Sequence, residues 1–316
     1  MKAVILYSGG LDSTLALHLV KEWGAEVFPL YVHNKFLCSK NLPDVPGLKT
    51  IDVSKEFIGI IQNPQYGYGK NLNPCIDCRI LMLKKAKEYM EKIKADFVVT
   101  GEVLDQRPMS QRFEQLMQLD KNAELEGMVV RPLSGGLLPP TIPEKRGLID
   151  RNVLLKIKGR SRKIALDMAQ KMRISEFFSP SGGCLLTDPG FCRRLADLMR
   201  AQEEIDVRDI ELLKIGRHFR LAPDTKLIVG RNETENTAIE NLLTPKDFFL
   251  YVPDTGSPNA LLLGNKKFMK LAAAITARYS DKKDEQGVKV FYRNKKKVSK
   301  VNAMPITNEE LAKWRL

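Results

Sequence analysis

The apolar run Ala3-Val4-Ile5-Leu6-Tyr7 is followed at once by Ser8-Gly9-Gly10-Leu11-Asp12-Ser13-Thr14, and this junction constrains the chain more than any other stretch. Five consecutive apolar residues predict a strand buried on both faces. The two glycines predict a tight turn with exposed backbone N–H groups, and Asp12 and Ser13 open a helix whose N-terminus favours an anion. Strand, loop and helix in that order make a pyrophosphate cradle, and ATP is the expected anion. The loop lacks the lysine of a G-x-x-x-x-G-K-[ST] loop, so cleavage between the α- and β-phosphates is expected rather than γ-phosphoryl transfer. The bland alternative is a mere Gly-Gly turn.

Around this junction the first half reads as alternating strands and helices. Strands are expected at 2–7, 26–32 and 97–100, and helices at 12–23, 53–62 and 77–94, with a Gly, Pro, Asn and Tyr rich loop over 63–74. That order predicts an α/β fold with a doubly wound, mainly parallel sheet. Ligands of such sheets sit beyond the carboxyl ends of the strands, which puts the loops after Tyr7, Val32 and Thr100 around one pocket. Backbone near Tyr31 to His33 is expected to hold adenine. The loop Gly101 to Gln111 is expected to form a second wall, with Arg107 on pyrophosphate or RNA and Ser110 or Gln111 on a base; surface and packing roles are the alternatives. The Gly- and Pro-rich segment 131–144 is expected to be irregular, and a helix is expected from about 161 to 173.

At 316 residues two domains are expected, 1–187 and a smaller, basic α+β domain over 188–316. The net charge of +13 is uneven: residues 1–150 hold 19 Lys and Arg against 18 Asp and Glu, leaving +12 on residues 151–316. A basic half joined to a neutral nucleotide-binding half suits a polyanionic substrate such as nucleic acid. The run Lys156 to Leu166 reads either as a solvated helix face or as an RNA backbone track. No stretch approaches eighteen apolar residues and no signal-peptide pattern follows Met1, so no membrane association and a cytoplasmic location are expected.

Cysteine chemistry forms the second constellation. Asn73-Pro74-Cys75-Ile76-Asp77-Cys78-Arg79 places a C-x-x-C at a helix N-terminus, where either thiol is expected to ionise near neutral pH. A third cysteine lies in Ser181-Gly182-Gly183-Cys184. Three thiolates leave a fourth metal position open. A zinc completed by Cys192 or His33, a metal-free persulfide and disulfide pair of Cys75 with Cys184, and inert buried thiols are the competing readings. Cys38 and Cys192 are expected to be inert.

Ser8-Gly9-Gly10-Leu11-Asp12-Ser13 resembles the SGG-x-DS signature of the PP-loop, or N-type ATP pyrophosphatase, family. Its members adenylate a carbonyl oxygen and release pyrophosphate; they include GMP, NAD and asparagine synthetases, tRNA lysidine synthetase and tRNA thiolases. The resemblance implies that Ser8, Gly9, Gly10, Ser13 and Thr14 hold phosphate and that Asp12 helps place Mg²⁺. Thr100-Gly101, with the run through Gln111, resembles a thiolase-like subgroup. The N-P-C element resembles that of tRNA 2-thiouridylases and implies sulfur transfer at Cys75. The C-x-x-C with one distant cysteine resembles iron–sulfur thiolases, implying a [4Fe-4S] cluster on Cys75, Cys78 and Cys184 whose open iron accepts hydrosulfide.

Two later stretches, 208–220 and 226–236, resemble the RNA-associated NFACT-R type of domain. Arg217, Arg220 and Arg231 are the expected RNA contacts there, or else pair with acids such as Glu211 or Glu233. Lys295-Lys296-Lys297 beside Phe291 and Tyr292 reads as a site for backbone contact and base stacking, or as a flexible tail. The implied activity is tRNA thiolation, with tRNA and a hydrosulfide or persulfide carrier as partners and a homodimer as a compatible state. The chain begins at the first strand, without the N-terminal RNA-binding region of 4-thiouridine synthetases, and its second half does not read like the β-barrel tail of 2-thiouridylases. The alternatives are another adenylating, amidating ligase and an ATP-regulated RNA-binding adaptor.

Overall fold

A computed structural model describes residues 1–37, 42–177 and 183–316, so Cys38, Ser181 and Gly182 lie outside the described residues. The chain divides into two compact units, Met1–Thr187 and Asp188–Leu316.

In the first unit β1 (Lys2–Leu6), α1 (Leu11–Glu22), β2 (Glu26–His33), β3 (Lys49–Asp52), α2 (Ser54–Gln62), α3 (Cys75–Ile93), β4 (Phe97–Thr100), α4 (Phe113–Asn122), β5 (Val129–Val130), α5 (Ile142–Lys145) and α6 (Lys163–Lys171) follow in order. The sheet is parallel, in the order β3-β2-β1-β4-β5. Alternation along β1 builds both faces of the core: Val4 packs with Ile80, Leu83 and Ala86 of α3, whereas Ala3 and Ile5 pack with Ala16, Leu17 and Val20 of α1. Because the strand order reverses at β1, a crevice opens beyond the carboxyl ends of β1 and β4.

Besides α5, three elements of this unit have no counterpart in the sequence reading. β3 and β5 hold four and two residues, too short for a periodic signal, and α4 stands where no helix was expected. α3 begins at Cys75 rather than at 77, which brings both cysteines into its first turn. The expected irregular stretch 131–144 contains a 3-10 turn at Gly135–Leu137 and the start of α5, fixed by a capping box between Thr141 and Glu144.

The second unit contains α7 (Pro189–Ala201), α8 (Val207–Lys214), β6 (Arg217–Ala222), β7 (Thr225–Val229), α9 (Glu233–Asn241), β8 (Phe248–Tyr251), β9 (Ala260–Leu263), α10 (Met269–Arg278), β10 (Val288–Asn294), β11 (Lys297–Ala303) and α11 (Asn308–Ala312). Its six strands form an antiparallel sheet in the order β11-β10-β8-β9-β7-β6. α10 lays Met269, Ala272 and Ala273 on one face, against Leu250, Leu262 and Val290. Residues 295–297, read as part of a possible flexible tail, form the turn and first residue of the β10–β11 hairpin. Among the described residues no helix is long and apolar enough to cross a membrane.

Candidate functional site

β1 ends at Leu6 and the chain turns at Gly9, whose φ of +72° lies in the left-handed region that favours glycine. Gly10 then sits as N-cap of α1 with extended backbone and no side-chain cap. Hydroxyls of the helix hold the loop instead: Ser13 Oγ donates to the Gly10 carbonyl at 2.9 Å, Thr14 Oγ1 donates to the same oxygen at 3.0 Å, and the Ser8 N–H donates to Ser13 Oγ at 3.2 Å. The N–H groups of a helix's first turn have no intrahelical acceptor, so this end of α1 offers donors to an anion. Gly101 closes the other side. A Cβ there would stand 2.5 Å from the carbonyl carbon and oxygen of Asp12, so β4 can abut α1 only through a glycine.

A cavity of about 330 Å³ opens at this point. Ser8, Gly10, Asp12, Ser13, Tyr31, Gly101, Arg107 and Cys184 line it, together with Ser110, Gln111 and Arg162. Gly9, Thr14, Cys75 and Cys78 do not. The Thr14 hydroxyl is engaged with the Gly10 carbonyl and stabilises the loop from behind. Leu6, Leu30, Val32, Leu37 and Met82 give the cavity an apolar side suited to a purine ring. Tyr31 stands among them, its phenol pushed to higher pKa by burial.

The polar side carries three guanidiniums, Arg79, Arg107 and Arg162, facing one carboxylate, Asp12. Burial raises the Asp12 carboxyl above the ordinary carboxylate range, against the lowering pull of its Gln106 hydrogen bond, Arg162 and Arg107. Asp12 Oδ1 is buried and has no hydrogen-bond partner among the described residues. An orphaned carboxylate oxygen beside clustered cations and free helix N–H groups fits Mg²⁺ carried by a polyphosphate, since Mg²⁺ commonly takes one or two carboxylates and completes its shell from phosphate and water.

Sequence reasoning missed how Arg79 is held. Glu102, 1% exposed, accepts from Arg79 Nε at 3.1 Å, from Arg131 Nε at 3.0 Å and from Thr100 Oγ1 at 2.9 Å. Arg131 in turn makes two bonds to Asp120, at 2.8 and 2.7 Å. Burial alone would raise the Glu102 carboxyl, but Arg79, Arg131 and these hydrogen bonds outweigh it and hold the group down at about 2. Its only signal in the sequence is an acid two residues beyond a buried strand.

The cysteines correct an expectation. Burial raises the Cys75 thiol despite Arg107 and Arg79, and pushes Cys78 up to about 12, with Cys184 and Cys75 adding to the rise. Neither thiol ionises near neutral pH in this state, because loss of solvent outweighs the helix dipole. The loop before α3 is tied down by Asp77, which accepts from the N–H groups of Gln65 and Tyr66 at 3.0 and 3.2 Å. Residues 184–187 are tied to the loop after β2 by a bridge between Leu37 and Cys184 and a 2.9 Å bond from Leu185 N–H to the Phe36 carbonyl. Cys75, Cys78 and Cys184 are thus electrostatic neighbours. Yet among the described residues no three His, Cys, Asp or Glu side chains form a group that could hold a metal. His33 and Cys192 therefore do not complete a site for a single zinc ion among these residues.

In the second unit the expected RNA contacts are engaged internally. Arg220 makes two bonds to Asp197, at 2.9 and 2.7 Å, and Arg231 pairs with Glu235. Arg217 donates to the Gly230 carbonyl at 3.1 Å and lies 4.5 Å from the Tyr279 ring centroid. The acids involved are Asp197 and Glu235, not Glu211 or Glu233.

Residues 216–315 match the NFACT protein RNA binding domain family. The chain is 25% identical over 259 residues to a tRNA-specific 2-thiouridylase of Petrotoga mobilis, covering 69% of this chain and 64% of that protein. It is 29% identical over 118 residues to a probable tRNA sulfurtransferase of Methanosarcina acetivorans, covering 33% of this chain and 28% of that protein. A solved 4-thiouridine synthetase–RNA complex with bound ATP superposes with a TM-score of 0.35 and 19% identity, covering 55% of this chain and 50% of that one. The chain thus spans less than two thirds of the length of these curated relatives. Its homologues are tRNA 2-thiouridylases and tRNA sulfurtransferases, and its C-terminal region is similar to the NFACT RNA-binding family.

Proposed function

We propose that this protein is an ATP-dependent tRNA sulfurtransferase that adenylates a uridine carbonyl oxygen and replaces it with sulfur. The observation that carries the proposal is one cavity bringing together the α1 N-terminus, the orphaned Asp12 carboxylate oxygen, three guanidiniums and the Cys184 wall. Adenine packs on the apolar side beside Tyr31, and Ser8, Gly10 and Ser13 cradle the phosphates. Asp12 holds Mg²⁺, which when bound neutralises phosphate charge and orients the chain of phosphates. The uridine oxygen attacks the α-phosphorus and pyrophosphate leaves, while Arg79 and Arg107 stabilise the charge that gathers on it. A sulfur nucleophile then attacks the activated carbon, and AMP departs with the original oxygen.

Sulfur enters from the cysteine side, as hydrosulfide or from a persulfide carrier. In the persulfide form the terminal sulfur of Cys75 attacks the carbon, and the Cys184 thiol displaces it from Cys75, leaving a disulfide for a thiol reductant. In the other route Cys75, Cys78 and Cys184, which are electrostatic neighbours, would hold a [4Fe-4S] cluster that supplies an open iron for hydrosulfide. Iron and sulfide analysis of anaerobically purified protein separates the two routes. The function itself is tested by pyrophosphate release and nucleoside mass spectrometry. Release is expected to require added tRNA, and thiouridine is expected in the digests. Cys75→Ala is expected to abolish thiouridine while ATP still binds. Thiouridine undiminished in that variant contradicts the role of Cys75; an amidated nucleoside, or tRNA binding without turnover, contradicts the reaction.

A further inference from the structure

The β10–β11 hairpin concentrates uncommitted charge in the second unit. Residues 288–303 contain six cations, Lys289, Arg293, Lys295, Lys296, Lys297 and Lys300, and no acid. Among the described residues none of the six forms an ion pair, in contrast to Arg220 and Arg231. The register pairs Lys289 with Asn302, Phe291 with Lys300 and Arg293 with Val298. Because side chains alternate across a strand, all six of these residues share one face. All but Phe291 are exposed. The opposite face, with Val288, Val290 and Ala303, is buried in the core that α10 covers.

The open face continues into an aromatic row. β8 places Tyr251 beside Phe291 and Phe249 beside Arg293. The ring centroids of Phe249 and Tyr251 lie 5.8 Å apart, those of Tyr251 and Phe291 5.9 Å, and the Arg293 guanidinium lies 5.2 Å from the Phe249 centroid. Leu212 of α8 and Ile239 of α9 cover the sheet as far as Phe249. From there outward the face carries partly buried rings flanked by exposed, unpaired cations.

We propose that this face binds an unpaired stretch of RNA, with bases stacking along Tyr251 and Phe291 and the backbone running over Lys289, Arg293 and Lys300. The proposal rests on the reading that the substrate is RNA and names the surface that grips it. A row of partly exposed rings favours single strands, whose bases present free π-faces, over a duplex whose bases are already stacked. Three cations on this face, in a hairpin that holds no acid, give charge complementarity to a phosphate backbone.

The test is fluorescence anisotropy of the full chain with a short labelled single-stranded RNA and a blunt RNA duplex, over a range of salt concentrations. The variant Lys289→Ser/Arg293→Ser/Lys300→Ser changes only exposed positions and is expected to melt as wild type. It is expected to bind the single strand about tenfold more weakly or worse, with a log–log salt slope shallower by about 2. Phe291→Leu keeps an apolar side chain at that position and is expected to weaken single-strand binding about tenfold while leaving duplex binding unchanged. Wild-type affinity and salt slope in the triple variant overturn the assignment of this face, as does equal loss for both RNAs in Phe291→Leu. A wild-type chain that binds no RNA overturns the RNA-substrate reading as well.

Discussion

At the scale of single residues, two glycines of the same site are held for different reasons. A methyl at Gly101 would meet backbone only, at 2.5 Å from Asp12 and 2.6 Å from the Ser13 nitrogen, and backbone on both sides leaves nothing that can swing away. A methyl at Gly10 would find only Ser8 Oγ, at 3.5 Å, and the φ of −83° there suits any residue. Gly101→Ala is therefore expected to lower stability by about 1–3 kcal/mol, as forced overpacking does, and to displace Asp12 and Ser13 with a loss of ATP affinity. Gly10→Ala is expected to leave the melting temperature unchanged and to weaken ATP alone, because its methyl projects where the ligand approaches. Thermal melts and ATP titrations of the two variants check this; a stable Gly101→Ala chain with normal ATP binding contradicts it. Both glycines are legible in the sequence, Gly10 from the loop motif and Gly101 from its place after β4. The close approach that fixes Gly101 is not, because it joins backbone segments about ninety residues apart.

Among the secondary elements, α3 shows where local reasoning ends. A helix with cysteines in its first turn is legible from the sequence, and so is the favourable dipole at that end. The dipole is worth about 0.3–1 kcal/mol, less than one pKa unit. Burial, with Cys184 brought in by the packing of 184–187 against the loop after β2 and Cys75 from the same turn, lifts Cys78 from an ordinary 9.0 to about 12. The larger effect decides. In metal-free protein Cys78 is accordingly expected to be the slowest of these thiols to alkylate at neutral pH, with a rate that rises about tenfold per pH unit and is still rising beyond pH 9. Iodoacetamide labelling followed by peptide mass spectrometry across pH checks this, and rapid labelling of Cys78 at pH 7 contradicts it. The chain from Arg79 through Glu102 and Arg131 to Asp120 was illegible for a related reason. Its members stand 23, 29 and 11 residues apart, on α3, just past β4, just past β5 and on α4, and only the parallel order β1-β4-β5 brings them together.

For the molecule as a whole, the charge excess divides differently from the fold. Of the +12 on residues 151–316, residues 151–187 supply half, with 8 Lys and Arg against 2 Asp and Glu, and residues 188–316 supply the rest, with 24 against 18. The basic character expected of the second unit is thus shared with the end of the first, where Arg162 reaches the cavity. Each unit has its own apolar core, so two calorimetric transitions are expected, and pH acts on them through different groups. In the first unit Glu102 is held at about 2, below an ordinary 4.5, so its contribution is complete above pH 4.5 and is lost as pH falls toward 2. In the second, burial pulls Lys226 down to about 8 despite its 3.1 Å contact with Asp197, from an ordinary 10.5. Below pH 8 the folded and unfolded chains both carry that proton and the burial cost is fully present. Between pH 8 and 10.5 the unfolded chain binds more protons, so stability rises with pH while Arg220 keeps Asp197 paired. Calorimetry is therefore expected to show the first-unit transition falling by several degrees below pH 4.5, with Glu102→Gln flattening that fall, and the second-unit transition gaining from Lys226 above pH 8, with Lys226→Met removing the gain. A single transition, or pH profiles that neither substitution alters, contradicts this assignment of stability to two separately titrating cores.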